Sequence, residues 1–428
     1  MNNCYNKAIK DTAVNNVLLK RMSQPALETN EYYIDTENYS PIVIKTKTYS
    51  KNGIDYKILN YDKTILCNDD MNSKLYRSII ISSPDNKILT FSPHKSTEFD
   101  KFKEKYTELN DTIFVNEIIE GTMINLFYDN RTNEWDIATR GGVGGSYFYY
   151  RNQYEEDPDK SKKQPSFCQM FLDGLRSVEG QTLNELSFLE YLPKTYSYSF
   201  VLQHPDNHIV LKIAEPKVYL VAVYELTVKN TVKYMKPTEY ENWHIFQNSN
   251  GVIHFPISYM YKTYDDITSE FASIQADYNK LGVMLTHLEN GERTAIKNPT
   301  YDSIKTLRGN NPNLQYQYLC LRRMGKVKDF LYYFPQYKHV FFNFRQEYND
   351  FISNVHTSYV TYYVQKQNVK ISKKYFTHIY KIHHEFYLPS LQTNEPLIIR
   401  IRVIKDYFEK MEPRELIYHL HYDRRMNQ

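Results

Sequence analysis

The chain has 428 residues, 53 Lys and Arg against 50 Asp and Glu, and 41% hydrophobic content, which exceeds one typical domain and suits a globular protein with two or three cores. Its longest apolar run, Val218 to Tyr224, falls far short of the roughly 20 residues that cross a bilayer, and the polar start Met1 to Lys7 carries no apolar signal region, so membrane insertion and secretion are not expected. The four cysteines, Cys4, Cys67, Cys168 and Cys320, lack metal-ligand spacing and are expected as free thiols in a reducing compartment.

Residues 1–38 are polar with weak periodicity and are expected to form an arm. From Tyr56 onward short β-prone segments follow one another: Leu75 to Ser82, Lys87 to Phe91, Thr112 to Ile119, Thr122 to Asp129 and Glu134 to Arg140. Asp85-Asn86 is the turn signal of a hairpin. In the last segment Trp135, Ile137 and Thr139 alternate with Glu134, Asp136, Ala138 and Arg140, which is expected as a strand with one buried face. A loop centred on Arg131 would pair Thr122 with about Arg140 and bring Glu120 close to Arg140.

Segment 151–165, with Glu155-Glu156-Asp157 and the lysines from Lys160 to Lys163, resembles an exposed insertion. A helix should follow, with Phe167, Met170, Phe171, Leu175 and Val178 on one stripe. Ser197 to Leu202, His208 to Ile213 and Val218 to Leu226 are expected as consecutive strands. Residues 263–279 suit a helix with Thr263 and Asp266 at capping-box spacing and Ile267, Phe271, Ile274 and Tyr278 on one face.

Beyond Lys297-Asn298-Pro299 the period becomes helical, in Leu319 to Tyr332, Phe341 to Tyr363, Tyr375 to Leu388 and Val403 to Met411. The run Arg308-Gly309-Asn310-Asn311-Pro312 marks a boundary, giving an arm (1–38), a first domain (39–309) and a helical domain (310–428). From Tyr301 on there are 20 Lys and Arg against 11 Asp and Glu, leaving 33 against 39 before it. Lys366, Lys370, Lys373, Lys374 and Lys381, interleaved with aromatic residues, are candidates for RNA phosphates; a solvated basic face explains them equally. His378, His383 and His384 do not share one helix face, and no metal is expected there. The run Gly141 to Gly145 lacks the Gly-Lys-Ser/Thr of a P-loop and suits a flexible loop.

Glu120-Gly121-Thr122 ends like the Lys-x-Asp/Glu-Gly motif in which a lysine amine attacks the α-phosphate of a nucleoside triphosphate. Around it, Arg77-Ser78 precedes two strands, Ser92-Pro93-His94-Lys95 lies upstream and Ala138-Thr139-Arg140-Gly141-Gly142 downstream. Pro205-Asp206-Asn207-His208-Ile209-Val210, Gly282-Val283 and Ala295-Ile296-Lys297 follow in order. Taken together, residues 70–310 resemble the phage-type RNA ligase branch of the covalent nucleotidyltransferases, in particular a ligase-like group from large DNA viruses. The resemblance implies an α+β nucleotidyltransferase (ATP-grasp-like ligase) domain of antiparallel sheets with flanking helices, followed by the mainly helical C-terminal domain. It offers Arg77, Lys95, Glu120, Arg140 and Lys297 as nucleotide- or phosphate-binding residues.

The departures bear on function. Ile118 stands at the nucleophile position, Val201 at the sugar-binding Glu, Leu281 at a metal-binding Glu and Ala295 at a phosphate-binding lysine. No lysine lies three residues before any of the thirteen glycines. A hydrocarbon has no lone pair, so the lysine-adenylate route is closed as written. The expectation is a degenerate RNA-ligase-like viral protein acting as an RNA-binding or structural protein, with RNA or other viral proteins as partners and no cofactor. It would work in the host cytoplasm (viral factory) or the virion. The alternative is an active ligase using a non-standard nucleophile such as Lys95, with ATP and Mg²⁺.

Overall fold

Asn52 and Gly53 both stand in the left-handed region, at φ 51° and 77°, the pair of dihedrals that folds two strands back with a two-residue turn. They join β2 (Ile44–Lys51) to β3 (Ile54–Tyr61), preceded by β1 (Glu31–Tyr33) and followed by β4 (Ile79–Ser82) and β5 (Ile88–Phe91). The chain continues through β6 (Ile113–Glu117), β7 (Thr122–Asp129), β8 (Glu134–Thr139), β9 (Gly142–Val143), β10 (Tyr196–Gln203), β11 (Lys217–Leu226), β12 (Thr231–Met235) and β13 (Ile253–His254). Strands β14 (Ser258–Tyr259), β15 (Gly282–His287) and β16 (Arg293–Lys297) complete the set. This is a computed structural model describing residues 29–67, 70–147, 165–227, 230–247, 249, 251–309, 311 and 313–426. The expected insertion at 151–165 lies almost wholly outside the described residues.

The strands form three mainly antiparallel sheets, in the orders β1-β12-β11-β10-β7-β8-β9 (with β13 beside β11), β14-β6-β15-β16 and β2-β3-β4-β5. The first is covered on both faces, which is why β7 is buried along most of its length rather than on alternate residues. Ile124 and Leu126 pack with Phe171, Tyr198 and Phe200. Phe127 turns the other way, onto Tyr56, Ile58 and Ile80 of the β2–β5 sheet. Truncating a ring such as Phe127 to alanine costs about 3–5 kcal/mol.

Two compact units divide the described chain, one ending at Ser303 and the other beginning at Ile304. Among the described residues the regular elements of the second are all helices. Its long helix, Lys338–Tyr359, buries Phe341, Phe344, Tyr348, Phe351, Val355 and Tyr359, the stripe that the helical period marks. The expected class, antiparallel sheets with flanking helices followed by a mainly helical C-terminal part, is the observed one.

Several local expectations are corrected. Residues 31–33 are an edge strand paired with β12, with Tyr32 and Ile34 buried, rather than part of an arm. Leu75 ends a short helix, Met71–Leu75, because the Asp70 side chain accepts from the Ser73 amide and starts a helical turn. Helix Phe167–Gly174 stops before Val178, which is exposed. Helix Tyr264–Phe271 has the expected Thr263–Asp266 capping box, yet it ends at Phe271 and leaves Ile274 and Tyr278 exposed. The expected strand His208 to Ile213 is absent, and its amides serve another purpose.

Candidate anion-binding site

Glu120 is 4% exposed at the end of the loop between β6 and β7. Its Oε1 accepts from the amides of Ile209 (2.6 Å) and Val210 (3.1 Å), and its Oε2 from those of Val210 (3.2 Å) and Leu211 (3.1 Å). The Tyr301 hydroxyl donates to Oε2 at 2.6 Å. Burial and the adjacent carboxylate push that phenol well up, so it stays a donor. Apolar Ile209, Val210 and Leu211 look strand-forming, but their N–H groups surround a carboxylate instead of joining a ladder. Three successive amides on an anion form a nest.

Gly121 has its own structural reason. A Cβ there would lie 2.3 Å from the Leu202 carbonyl oxygen and 2.7 Å from the Val201 side chain, so only glycine lets β7 approach β10. Gly282, at φ 128°, would set a Cβ 2.1 Å from the Ile296 carbonyl oxygen. Its own carbonyl accepts from the Ile118 amide at 3.0 Å. The Glu-Gly and Gly-Val signatures thus hold backbones together around a position that carries a hydrocarbon.

The expected pairing of Thr122 with Arg140 does not form. The β7–β8 ladder pairs Asn125 with Ala138 and then ends, because β8 turns back at Thr139 and Gly142 to pair with β9. Thr122 pairs instead with Leu202 of β10. Arg140 is exposed, its guanidinium 5.4 Å from the centre of the Tyr61 ring. The Gly141 to Gly145 run is equally structural: Gly142–Val143 is β9, and a Cβ on Gly145 would lie 3.0 Å from the Cys168 amide.

Positive charge gathers elsewhere in this unit. Arg293, on β16, donates to the His94 carbonyl from Nε (2.9 Å) and to the Pro93 carbonyl from Nη2 (3.0 Å). Burial and the Arg77 guanidinium push its pKa down to about 10. Burial lowers Arg77 too, and Arg140 adds to the effect. Beside Arg140 and Arg77, Lys63 is lowered by their charge and by burial. His94 is 1% exposed, and its pKa lies well below the usual imidazole range through burial and the charges of Arg293, Lys74 and Arg77. Neither of its ring nitrogens has a hydrogen-bond partner among the described residues. The Tyr32 ring faces it edge-on at 6.0 Å, and Tyr32, Tyr61 and Tyr224 surround Arg293.

Like charges repel, and more so where half-burial removes part of their water. Among the described residues no carboxylate is ion-paired with Arg77 or Arg293. The nearby buried acid, Glu292, is already bonded to Thr97, Lys105 and Tyr106. Two guanidiniums and an imidazole can grip phosphate oxygens through several charge-assisted bonds.

Of the residues singled out in sequence, Arg77 joins this cluster, while Arg140 reaches it at long range. Lys95 is half-buried beside His94, its amide donating to the Lys74 carbonyl at 3.1 Å. Lys297 is exposed at the end of β16. Sequence reading missed Arg293, although the signal was present: residues 293, 295 and 297 share one face of a strand, so the face with Ala295 in place of lysine carries a cation two residues earlier. In the other unit, Lys374 is ion-paired with Asp423 at 2.8 Å, whereas Lys366, Lys370, Lys373 and Lys381 are exposed. His378 is buried against Tyr407 and His419 with its pKa pushed down to about 3 by burial, and His383 stacks on Tyr363. Among the described residues no group of His, Cys, Asp and Glu is arranged to hold a metal, and no helix is long and apolar enough to cross a membrane.

No family model matches the chain. It is 23% identical over 296 residues to an immediate-early protein ICP-46 homolog of Invertebrate iridescent virus 3, covering 66% of this chain and 59% of that protein. Among solved structures it is similar to a mutant Naegleria gruberi RNA ligase with ATP and Mn, at 12% identity and TM-score 0.37 over 50% of this chain and 58% of that one. An apo mutant of the same ligase gives 12% identity and TM-score 0.35 over 49% and 56%. The chain spans less than two thirds of each of these proteins.

Proposed function

We propose that the chain is a degenerate RNA-ligase-like protein of a large DNA virus that holds a phosphate-bearing ligand, a nucleotide or an RNA end, without becoming covalently joined to it. The observation carrying this reading is the half-buried pair Arg77 and Arg293 beside His94, with no carboxylate ion-paired to either arginine and no partner for the imidazole among the described residues, in a unit whose nucleophile position is Ile118. The order of the motifs from Arg77 to Lys297 and the viral name of the relative support the same reading. On it, the partners are RNA and other viral proteins, and the place of action is the viral factory or the virion.

In this role Arg77 and Arg293 bind phosphate oxygens, and the bound anion restores their ordinary basicity. His94, neutral before binding, donates from one ring nitrogen. Glu120 takes no part in the ligand; it fixes the loop 209–211 and Tyr301 as scaffold. No step transfers a nucleotidyl group.

The test has two arms. Full-length protein incubated with α-labelled ATP or GTP and Mg²⁺ or Mn²⁺ gives no labelled band on denaturing electrophoresis. The same protein binds pyrophosphate or ATP by calorimetry, with at least about ten-fold loss in Arg77→Met, since a hydrogen bond to a charged group is worth about 1.5–3 kcal/mol. An acid-labile band that disappears in Lys95→Ala overturns the non-covalent reading in favour of an active enzyme. Absence of any phosphate binding overturns the ligand.

A further inference from the structure

In the helical unit the long helix Lys338–Tyr359 continues as a π-helical turn, Val360–Val364, and helix Lys373–Lys381 continues as another, Ile382–Tyr387. Such turns are uncommon and collect at functional sites. Between them runs the exposed polar segment 365–370. It is entered through Lys366 at φ 50°, a left-handed conformation that costs an L-residue energy and that glycine would adopt freely.

Phe376, Tyr380 and His384 follow one another at four-residue spacing, so their rings line one helix face. Phe376 and Tyr380 lie 6.4 Å apart centre to centre, and Tyr380 and His384 stack at 3.9 Å and 26°. Tyr362, from the other arm, meets Phe376 edge-on at 5.7 Å. These rings are open to solvent: Tyr362 and Phe376 are each 38% exposed and Tyr380 49%. An exposed row of aromatic faces is costly in water unless something stacks on it. His384 Nδ1 donates to the Tyr380 carbonyl at 2.9 Å, which fixes the ring in the stack and leaves Nε2 outward.

Charge selects the occupant. From Tyr362 to Leu388 there are five lysines and one acid, Glu385. Among the described residues, Lys374 is the one of those lysines seen in an ion pair, with Asp423, and it is not counted toward an outside ligand. Lys366, Lys370, Lys373 and Lys381 remain exposed beside the rings. We propose that this face binds single-stranded nucleic acid, bases stacking on Phe376, Tyr380 and His384 while the four lysines contact the backbone phosphates. Flat rings accept any base and the cations read only phosphate, so the site has little sequence preference. A duplex, whose bases are already stacked inside, cannot use the rings.

The inference concerns a different site from Arg77 and Arg293, and its test separates the two. Fluorescence anisotropy of the full chain with a labelled 12-nucleotide oligo-uridine gives binding that weakens steeply with salt, with a log–log slope near −0.7 for each phosphate neutralised. Phe376→Ala and Tyr380→Ala each weaken it by about 5- to 100-fold, the range for loss of one stacked base. Tyr380→Trp retains it, which separates lost stacking from lost folding. Lys366→Ala with Lys370→Ala and Lys373→Ala flattens the salt slope by about two units, while pyrophosphate binding by the same triple variant is unchanged. Equal affinity for a duplex, or unchanged affinity in both ring-to-alanine variants, overturns the proposal. No oligonucleotide binding overturns it also, and makes the face a protein-docking surface.

Discussion

Two sets of charge in the first unit, one buried and one half-buried, are treated in opposite ways. Around Glu120 three amides and a phenol are spent on one carboxylate, so its charge is answered within the fold. Around Arg293 and Arg77 cations accumulate, and His94 faces them with two idle nitrogens. On the proposed reading the first charge is scaffold, and the second, which meets neutral carbonyls but no carboxylate among the described residues, is the one that takes a ligand. The proposed site therefore lies at residues outside the Glu-Gly signature that first attracts notice.

The sharpest way to break this comparison is Glu120→Ala. It strands three N–H groups and the Tyr301 hydroxyl, each unmet group costing about 1–3 kcal/mol, so urea unfolding should reveal a loss of about 3 kcal/mol or more. A loss below about 1 kcal/mol would mean that water replaces the carboxylate and that the site is less closed than described. Gly121→Ala comes next. With its new methyl 2.3 Å from the Leu202 carbonyl oxygen, it should cost about 1–3 kcal/mol by the same measurement, the range for overpacking.

The arginine cluster responds to pH. The folded pKa of His94 lies below that of the unfolded imidazole, about 6.5. Below pH 6.5 the unfolded chain therefore binds a proton that the folded chain refuses. Stability falls with decreasing pH by up to about 1.4 kcal/mol per unit from this residue, and the loss continues until the depressed folded pKa is reached. His378 in the other unit pulls in the same direction, so the test is a difference: His94→Gln should flatten the stability profile between pH 6.5 and 5, with the His378 contribution left intact. A parallel profile in the variant would remove His94 from the account.

The smallest effect carries the opposite sign from the Glu120 result. Arg77→Met relieves a repulsion and keeps most of the side-chain volume, so the unfolding free energy should be unchanged or rise by about 1 kcal/mol while phosphate affinity falls. Destabilisation by more than about 2 kcal/mol would assign Arg77 to the scaffold and erase the contrast with Glu120.

Much was legible without coordinates. The helical stripe Phe341, Phe344, Tyr348, Phe351, Val355 marks a buried face because the 3.6-residue period depends only on local geometry. The strands from Thr122 to Asp129 and Val218 to Leu226 follow from their β-branched and aromatic runs, and Thr263 with Asp266 fixes a helix start through bonds within four residues. The missing amine at Ile118 is a property of one residue type. Arg77 and the basic character of the C-terminal part belong to the sequence as well.

What only the tertiary structure decided depends on groups far apart in the chain. Glu120 meets Ile209 and Tyr301 across 89 and 181 residues, and no local pattern says that a Val-Leu stretch will give its amides to a carboxylate instead of a strand. Arg140 does not pair with Thr122 because β8 turns back to pair with β9, a choice made by the neighbouring strand. Arg293 gained a role because β16 sets it beside the 93–94 carbonyls, and Lys374 left the list of free cations because Asp423 folds back onto it. Sequence fixes which charges exist and how each segment coils. Whether a charge is answered is settled by long-range packing, since Coulomb energy depends on the distance and burial that only the folded chain sets.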